Sequence, residues 1–444
     1  MSHVQAKRLV KRPVRLPLPT APLGGRYELL AELGAGGMGK VLVARTVGAA
    51  GFQRLFAVKV LQKHLADEGD FVTMFLDEAR LAARIHHANV VPTLDIGGGP
   101  DGHFIVMDYV EGDSLAGLVE RSRDIGTRLP MGVALRIVLD ALEGLHAAHE
   151  VTGDDGQPLH LVHRDVSPDN LLVGVDGVSR LTDFGVARAR NRLHTTRDPR
   201  CKGKHAYMSP EQILASRDVD RRADVYGMGV LLWECLVGER LFAARKGEPT
   251  YERVLREPIR EPRSVDPSVP QALSDVVMKA LERDRSRRYA TAAALAAAID
   301  DAAARSGVAI ARPSAVGQLV MEISGDKVYG ERRRVRVAIE RSRRRAEGAT
   351  ATSDGVPVML SPWTEEPTAD EQALTIDRTS PAPRTRRPVT MTVESPSPFR
   401  HSRPPEATTV CSRRRTARMW MVGLGGGVLF ASAVAVLVTC LATA

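Results

Sequence analysis

Two short motifs constrain this chain of 444 residues more than any other feature of its sequence. They read His-Arg-Asp-Val-Ser-Pro-Asp-Asn over residues 163–170 and Asp-Phe-Gly over residues 183–185. The carboxylate of Asp165 can accept the proton of an attacking hydroxyl group. Asn170 and Asp183 supply hard oxygen ligands of the kind that bind Mg²⁺ between nucleotide phosphates. The motifs therefore predict a fold that brings these three groups together for metal-assisted phosphoryl transfer.

A glycine-rich segment nearer the N-terminus carries a second phosphate-binding pattern. Residues 33–41 contain the spacing G-x-G-x-x-G, at Gly34, Gly36 and Gly39, between two apolar runs. Dinucleotide-binding folds use a similar spacing but continue into a helix, whereas a second β-rich run follows here. The segment therefore predicts a hairpin whose backbone can lie close over phosphates, because glycine has no side chain.

A lysine in the next strand pattern requires partners. Lys59 is the one charged residue in the apolar run 56–60. Because a buried ammonium group is costly unless its charge is met, Lys59 needs a phosphate and a carboxylate. Residues 70–85 show the apolar periodicity of a helix. We predict that Glu78 in this helix is the carboxylate partner of Lys59, with Asp77 as the rival candidate. The alternative is that Glu78 is only a solvated charge on the surface of the helix.

With these motifs in order, the region resembles the eukaryotic-type (Hanks-type) serine/threonine protein kinase domain found in bacteria. The resemblance covers residues 27–305 and implies an α+β, two-lobed fold with a small β-rich lobe and a large helical lobe. It implies that Lys59 binds the α- and β-phosphates of ATP and pairs with Glu78. It also implies that Asp165 is the catalytic base and that the ligands named above bind Mg²⁺, so the expected cofactors are ATP and Mg²⁺.

The resemblance also implies an adenine pocket. Residues 103–110 are similar to the fifth strand and hinge of the family, with Met107 as the gatekeeper and residues 108–110 presenting backbone groups to adenine. Apolar members of such a pocket would be buried in any globular fold, so this assignment rests on the resemblance. The residues implied to surround the nucleotide, besides Lys59 and Glu78, are Leu33, Gly34, Gly36, Gly39, Val41, Ala57, Met107, Asp108, Val110 and Leu172.

Later motifs favour a protein as the acceptor. Residues 207–211 read Tyr-Met-Ser-Pro-Glu, similar to the A-P-E motif of the family with serine in place of alanine. The resemblance implies a buried ion pair between Glu211 and Arg288, and it implies that Asp224 braces the catalytic loop. Small-molecule kinases of the aminoglycoside class lack this segment. We therefore predict a kinase that phosphorylates serine or threonine on proteins; the alternative is a catalytically dead, membrane-tethered pseudokinase scaffold.

Two positions depart together from the family pattern. Serine/threonine kinases usually carry lysine where this chain has Ser167, and threonine where it has Lys204. In the family fold these positions touch beside the catalytic aspartate. We interpret the departure as a swap in which Lys204 reaches the transferred phosphate and Ser167 supplies the hydroxyl. The alternative is that Lys204 is a solvated loop charge and activity is weakened. Tyrosine kinases also lack the first lysine, which leaves the acceptor preference open.

The segment from the Asp-Phe-Gly motif to the A-P-E-like motif, residues 183–211, predicts an activation loop. It contains two adjacent threonines, Thr195 and Thr196. Arg164 precedes the catalytic aspartate, and its guanidinium could pair with a phosphate on this loop. We predict that one of the two threonines is the phosphoacceptor; ordinary polar loop residues are the alternative.

The flanking regions differ in composition from the domain. Residues 1–26 predict a basic flexible arm, which lacks the continuous apolar core of a secretory signal. Residues 306–347 predict a basic helical extension, with its helix over residues 313–346. Residues 348–415 are rich in Ser, Thr and Pro and predict a disordered linker.

An uncharged segment, residues 419–441, predicts a single transmembrane helix. Its length matches a bilayer core of about 30 Å at a rise of about 1.5 Å per residue. Arginines crowd residues 413–418 immediately before it, so the positive-inside rule predicts an inner-membrane protein with a cytoplasmic kinase domain. Gly423 and Gly427 give a G-x-x-x-G spacing, which can support self-association and trans-autophosphorylation but is also frequent by chance in Gly-rich spans.

The charge distribution argues against nucleic acid as a partner. The net charge is +9, but the arginines cluster near the linker and the predicted span and are not interleaved with stacking aromatics. Attraction to anionic lipid is the simpler interpretation. The four cysteines show no pairing or metal-binding spacing, which suits a reducing compartment.

Overall fold

The fold was analysed in a computed structural model of the whole chain. The structure describes residues 22–35, 39–47, 53–62, 65, 69–98, 102–184, 204–216, 218–243, 245 and 247–351. Within these ranges the chain forms a smaller β-rich lobe followed by a larger helical lobe. The predicted two-lobed α+β fold is therefore confirmed.

The smaller lobe is built on a five-stranded antiparallel sheet with the strand order β1-β2-β3-β5-β4. Strands β1 and β2 pair antiparallel as far as Ala35 opposite Lys40, so the two strands that flank the glycine-rich segment form a hairpin, as predicted. The elements of this lobe are β1 (Glu28–Ala35), β2 (Gly39–Val47), β3 (Gln53–Leu61), α1 (Gly69–Ala82), β4 (Thr93–Gly97) and β5 (Phe104–Asp108).

The larger lobe carries a three-stranded sheet and a succession of helices. The sheet has the order β6-β7-β8. Its strands are β6 (Gly112–Ser114), β7 (Leu171–Gly174) and β8 (Ser179–Leu181). The helices are α2 (Leu115–Asp124), α3 (Met131–His149), α4 (Pro210–Ile213), α5 (Arg222–Val237), α6 (Thr250–Arg256), α7 (Pro262–Val265), α8 (Gln271–Ala280), α9 (Ala292–Arg305) and α10 (Pro313–Ala351).

Helix α5 forms the centre of the larger lobe. Every residue of this helix after Arg222 is buried, and α3 and α8 pack against it. A helix that is apolar on all sides is stable only when other elements surround it. The indole N–H of Trp233 donates to the carbonyl of Arg260 at 2.7 Å, so the polar atom of this buried ring stays paired. This rigid helix is the support from which the catalytic loop is held.

The folded domain begins before the predicted boundary. We expected a flexible arm over residues 1–26, but residues 22–26 form a turn in which the Leu23 N–H donates to the Tyr27 carbonyl at 2.8 Å. Leu23 is buried in one apolar cluster with Tyr27 and Phe56. The burial of this leucine extends the domain towards the N-terminus, which the basic composition of the arm concealed.

The last described helix, α10, packs onto both lobes. It covers the predicted helical extension and continues past Gly348, where we expected the linker to begin. Val316 and Val320 are buried in the core of the larger lobe. Val335 packs against Leu30 of the smaller lobe. The extension is therefore docked on the domain from Val316 to Val335, which the sequence did not predict.

The predicted membrane span lies outside the described residues. Within the part of the chain that the structure describes, no helix combines the length and the apolarity that a bilayer crossing requires. Residues 1–21 of the arm, 352–415 of the linker and 419–441 of the span are not described. The anchor therefore stays a prediction.

A buried ion pair ties the segment 207–211 to the end of the larger lobe. The two terminal nitrogens of Arg288 donate to the carboxylate oxygens of Glu211 at 2.7 and 2.8 Å. The Arg288 side chain is completely buried and also donates to the carbonyls of Arg222 and Arg283. This is the pair that the resemblance implied, and its bidentate geometry satisfies both charges away from water.

Replacing Arg288 with Met should lower the free energy of unfolding by about 3–5 kcal/mol, because the Glu211 carboxylate would stay buried without its partner. Urea unfolding followed by tryptophan fluorescence measures the change. Arg287→Met is the matched control, since the Arg287 side chain is 72% exposed and lies 3.9 Å from Asp284. Equal losses for the two substitutions would contradict the importance of the pair.

Candidate active site

The inner part of the site surrounds a buried ammonium group. Nζ of Lys59 on β3 donates to Oδ1 of Asp183 at 2.8 Å and to Oε1 of Glu78 on α1 at 3.5 Å. The Lys59 and Glu78 side chains are only 9% and 8% exposed. The rival Asp77 instead pairs with the exposed Arg80. One ammonium group thus holds together β3, α1 and the Asp-Phe-Gly motif.

The opposite charges in this cluster stabilise one another's ionised forms. Burial acts to lower the pKa of Lys59, but the carboxylates of Asp183 and Glu78 outweigh it and hold that pKa above its ordinary value. Burial raises the pKa of Glu78 to about 7, although Lys59 opposes the shift. Since its shorter contact is with Asp183, Lys59 is a fixed positive charge with Asp183 as its main counter-ion. Such a charge suits the binding of phosphates.

The predicted catalytic base and one predicted metal ligand contact each other. Nδ2 of Asn170 donates to Oδ2 of Asp165 at 2.9 Å and to the Asp165 carbonyl at 2.8 Å. The N–H of Thr182 donates to the Asn170 carbonyl at 3.0 Å, which holds the catalytic loop beside the segment that leads to Asp183. Because the amide nitrogen of Asn170 faces Asp165, its amide oxygen faces the other way and can bind a cation.

A buried carboxylate holds the backbone of the catalytic loop. Asp224 on α5 accepts hydrogen bonds from the N–H groups of His163 and Arg164, both at 2.8 Å. Its Oδ2 also lies 2.8 Å from Nε2 of His149. Burial opposes ionisation, but the hydrogen bonds with His149 and with the Arg164 N–H keep the pKa of Asp224 below its ordinary value. The bracing role that the resemblance implied for Asp224 is present, and His149 is an addition that the sequence did not indicate.

The residue before the catalytic aspartate has a strained backbone. Arg164 has a φ angle of 64°, in the left-handed region that residues with a Cβ seldom adopt. Its N–H is bound by Asp224, and its carbonyl accepts a hydrogen bond from Nε2 of Gln212 at 2.9 Å. These two contacts fix the peptide groups on both sides of the strained residue. Sequence reasoning missed Gln212, because its position one residue after the A-P-E-like motif carries no distinguishing pattern.

The orientation of the Asp-Phe-Gly motif is set by packing in the core. Phe184 is buried, and its ring lies 4.5 Å from the ring of His163, measured between centroids. Nε2 of His163 lies 3.2 Å from the Thr182 carbonyl, and burial lowers the pKa of His163. With Phe184 held inward and a φ angle of 58° at Asp183, the Asp183 carboxylate is directed at Lys59.

A cavity of about 380 Å³ lies against this cluster. Its size falls within the usual range for small-molecule and cofactor pockets, roughly 300–1,000 Å³. Asp169, Thr182 and Asp183 line one part of it, and apolar side chains from both lobes line another. The predicted nucleotide-binding residues that line the cavity are Leu33, Gly34, Val41, Ala57, Met107, Asp108, Val110 and Leu172. Lys59 and Glu78 are not among the lining residues of this cavity; Lys59 contacts Asp183, which is.

Three further predicted pocket residues have a different or an undescribed position. Gly39 is not among the lining residues of this cavity; a Cβ there would lie 2.4 Å from the Val60 carbonyl oxygen, so glycine permits the close approach of β2 to β3. The N–H of Asp108 donates to the Pro92 carbonyl at 3.1 Å, so a hinge donor for adenine must come from residues after it. Gly36 lies outside the described residues.

Ser167 is buried beside the catalytic aspartate, and its hydroxyl has no hydrogen-bond partner among the described residues. A buried hydroxyl without a partner is costly, so this oxygen is available to a donor. Lys204 begins a 3-10 turn at Lys204–Tyr207, but its side chain lies outside the described part, as do Thr195 and Thr196. The proposed exchange between Ser167 and Lys204 therefore stays a prediction.

Two residues of α10 line the same cavity. Lys327 and Glu331 complete its wall next to Gly112, Asp113 and Ser114. Sequence reasoning did not select either residue. Their spacing of one helical turn in a charged helix is that of an ordinary solvated face.

The chain combines a two-lobed fold with a buried Lys–Glu pair, an Asp–Asn pair in the loop before β7, and an Asp-Phe-Gly motif beside a nucleotide-sized cavity. This combination is typical of phosphoryl-transfer enzymes. The family model for the protein kinase domain matches residues 27–298. This match covers more than half of the chain, and the chain belongs to the protein kinase domain family.

The curated relatives of this chain include a protein named as a tyrosine kinase and proteins named as serine/threonine kinases. The tyrosine-protein kinase MasK of Myxococcus xanthus is 39% identical over 276 residues, which are 62% of this chain and 43% of MasK. The serine/threonine-protein kinase PknB of Mycobacterium leprae is 35% identical over 282 residues, 62% of this chain and 42% of PknB. PknA of Corynebacterium glutamicum, also named a serine/threonine kinase, is 33% identical over 272 residues, 60% of this chain and 54% of PknA. The chain thus spans about half or less of the length of these relatives.

Proposed function

We propose that this chain is a protein kinase that transfers the γ-phosphate of ATP to serine or threonine residues of proteins, including its own activation loop. The observation that carries the proposal is the contact of Lys59 with Asp183 and Glu78 beside a nucleotide-sized cavity. A fixed positive charge and a hard oxygen ligand in direct contact are the groups that a metal-bound nucleoside triphosphate requires.

The catalytic loop has the groups to direct the acceptor hydroxyl. Asp165 would accept a hydrogen bond from that hydroxyl and take its proton as the bond to phosphorus forms. The 2.9 Å hydrogen bond from Asn170 fixes the Asp165 carboxylate before the acceptor arrives. Since phosphoryl transfer depends mainly on positioning and electrostatic stabilisation, a pre-set carboxylate beside the cavity is what the reaction needs.

The donor set suits Mg²⁺. Asn170 and Asp183 would hold the ion, and Mg²⁺ commonly binds through one or two protein oxygens together with substrate phosphates. The contacts of its nitrogen turn the amide oxygen of Asn170 away from Asp165, so that oxygen can accept a cation. When bound, Mg²⁺ would neutralise charge on the phosphates.

A pseudokinase scaffold would account for the fold but not for the site. Such a scaffold has no requirement for a base and both metal ligands, yet Asp165, Asn170 and Asp183 are all present. Asp165 and Asn170 contact each other, and Asp183 contacts Lys59. The relatives described above are all named as kinases. Catalytic activity is therefore the better-supported reading.

The acceptor residue has a second candidate. MasK, named a tyrosine kinase, has a higher identity to this chain than PknB or PknA. Ser167 stands where serine/threonine kinases usually carry lysine, a departure that tyrosine kinases share. We propose serine and threonine as the acceptors because the resemblance over residues 27–305 is to that group, with tyrosine as the second candidate.

We further propose that the chain is anchored in the inner membrane by residues 419–441, with the kinase domain in the cytoplasm. The support is the uncharged run itself and the arginines that precede it. Anchoring would confine catalytic domains to one surface and raise their effective concentration for each other's activation loops. Self-association through Gly423 and Gly427 would increase this effect.

The purified full-length chain should transfer labelled phosphate from ATP, with Mg²⁺, to itself and to a generic protein acceptor. Acid hydrolysis should release phosphothreonine or phosphoserine. Release of phosphotyrosine alone would show that tyrosine, and not serine or threonine, is the acceptor. Asp183→Asn should abolish transfer, because it removes the negative charge of a metal ligand and of the main counter-ion of Lys59. Asp300→Asn, an exposed position on α9, is the matched control. Equal incorporation by both variants would contradict the assignment of the site.

Lys204→Ala should reduce turnover by about tenfold or more, because a preorganised charge near the transferred phosphate stabilises the transition state. Its urea midpoint should change little, since the effect is on chemistry and not on the core. The double variant Ser167→Lys, Lys204→Thr should recover part of the activity. Near-wild-type turnover in Lys204→Ala would remove the proposed exchange.

Leu429→Arg should shift the chain from the membrane fraction to the soluble fraction, because a charge at the centre of a span costs about 2.5–3.5 kcal/mol on insertion scales. Phosphorylation of Thr195 or Thr196 should slow at the same time. Alkaline extraction and phosphopeptide analysis measure the two effects. Thr416→Arg, in the basic flank, is the control. Retention of Leu429→Arg in the membrane would oppose the anchor.

A further inference from the structure

Helix α10 lies outside the region matched by the family model, yet it forms part of the cavity wall. The match ends at residue 298, and α10 begins at Pro313. Two of its side chains, Lys327 and Glu331, line the cavity together with residues of the hinge and of β6. The nucleotide cavity of this chain is therefore not made by the kinase domain alone.

The helix is held at the cavity by a network of charged contacts. Asp113, buried in β6, accepts hydrogen bonds from Ser324 at 2.8 Å, from Lys327 at 2.5 Å and from Arg121 at 2.9 Å. Arg332 makes a bidentate contact with Glu111 of the hinge at 2.6 and 2.7 Å. Paired charges on both sides of position 331 fix the helix in one register against the hinge.

Close backbone packing also fixes the helix. A Cβ at Gly317 would lie 2.4 Å from the Val175 carbonyl oxygen, so the first turns of α10 contact the β7–β8 hairpin with no space for a side chain. Farther along, Val335 packs against Leu30 and Val43 of the smaller lobe. The cavity-lining turn of α10 is thus supported at both ends by packed residues.

Of the two charged residues that α10 contributes to this wall, Glu331 is the less closely paired. Its side chain is only 8% exposed, and the nearest cations that contact it are Nζ of Lys327 at 3.9 Å and a terminal nitrogen of Arg334 at 3.6 Å. Both distances exceed that of a hydrogen bond. Lys327 makes its shorter contact with Asp113. Burial raises the pKa of Glu331, although Lys327 and Arg334 oppose the shift.

The chemistry of the nucleotide selects what a carboxylate in this position can bind. A carboxylate only accepts hydrogen bonds, so it needs donors on the ligand. The amino group of adenine is expected at the hinge backbone, and the phosphates are expected at Lys59. The remaining donors of the nucleotide are the two hydroxyl groups of the ribose, which lies between the purine and the phosphates.

We infer that Glu331 is a nucleotide-contacting residue that accepts a hydrogen bond from a ribose hydroxyl, so that α10 contributes to nucleotide selectivity. The inference rests on the proposed function, because it requires the cavity to bind ATP. Lys327 acts as a positioning residue: it lies 3.9 Å from Glu331 while it holds Asp113. A ligand without the relevant hydroxyl would leave a buried carboxylate unpaired, which is the basis of the discrimination.

Calorimetric titration of the full chain with Mg²⁺ and ADP, 2′-deoxy-ADP or 3′-deoxy-ADP tests this inference without turnover. The full chain should bind ADP about tenfold or more tightly than at least one deoxy analogue, the factor expected for a hydrogen bond to a charged group. Glu331→Leu should lose that preference, and Glu331→Gln, which keeps a carbonyl acceptor, should retain part of it. Glu340→Leu, at an exposed position of the same helix, should behave as the parent chain.

Different outcomes separate the possible failures. An unchanged preference in Glu331→Leu, or equal weakening of all three ligands, would reduce Glu331 to a packing role and overturn the inference. A parent chain that binds the three ligands equally would do the same while leaving nucleotide binding intact. A parent chain that binds none of them would instead remove the proposed function. Thermal unfolding of Glu331→Gln, which conserves the shape of the side chain, checks that the helix remains docked.

Discussion

The ammonium group of Lys59 is the interaction on which the site depends. It is buried, it lies in the middle of the sheet of the smaller lobe, and it contacts carboxylates from α1 and from the Asp-Phe-Gly motif. A buried charge is tolerated only when it is paired, so these three parts of the chain must meet at one point. The same charge is the natural partner of nucleotide phosphates. The contacts that pair the charge of Lys59 in the folded chain therefore also fix its ammonium group in the proposed phosphate site.

The catalytic loop depends on a second buried charge, Asp224. This carboxylate extends from the most buried helix of the larger lobe and binds two consecutive backbone N–H groups of the loop. It thereby stabilises the left-handed backbone of Arg164, which would otherwise be unfavourable. The position of Asp165 follows from this strained turn. The packing of α5 thus determines where the proposed base can act.

The residues that meet in the site were predictable because the proposed chemistry closely specifies their types. A base, two oxygen ligands and a buried lysine must recur in fixed order, and Lys59, Glu78, Asp165, Asn170 and Asp183 could be selected on that ground. The hairpin at the glycine-rich segment and the pair of Glu211 with Arg288 were predictable for the same reason. The roles of His149, Gln212 and the N-terminal Leu23 were not. Each acts through a contact with a residue far along the chain, and none belongs to a local pattern.

The amino-acid sequence by itself determined the order of the motifs, the two-lobed class of fold and the existence of a basic helix after the domain. Only the tertiary structure decided that this helix docks beside the hinge and places Glu331 in the wall of the cavity. The deciding contact joins Ser324 to Asp113 across 211 positions of the chain. Periodicity within a segment reports which residues share a face of a helix. It does not report which distant surface will cover that face, because that choice depends on the summed packing and charge pairing of the whole fold.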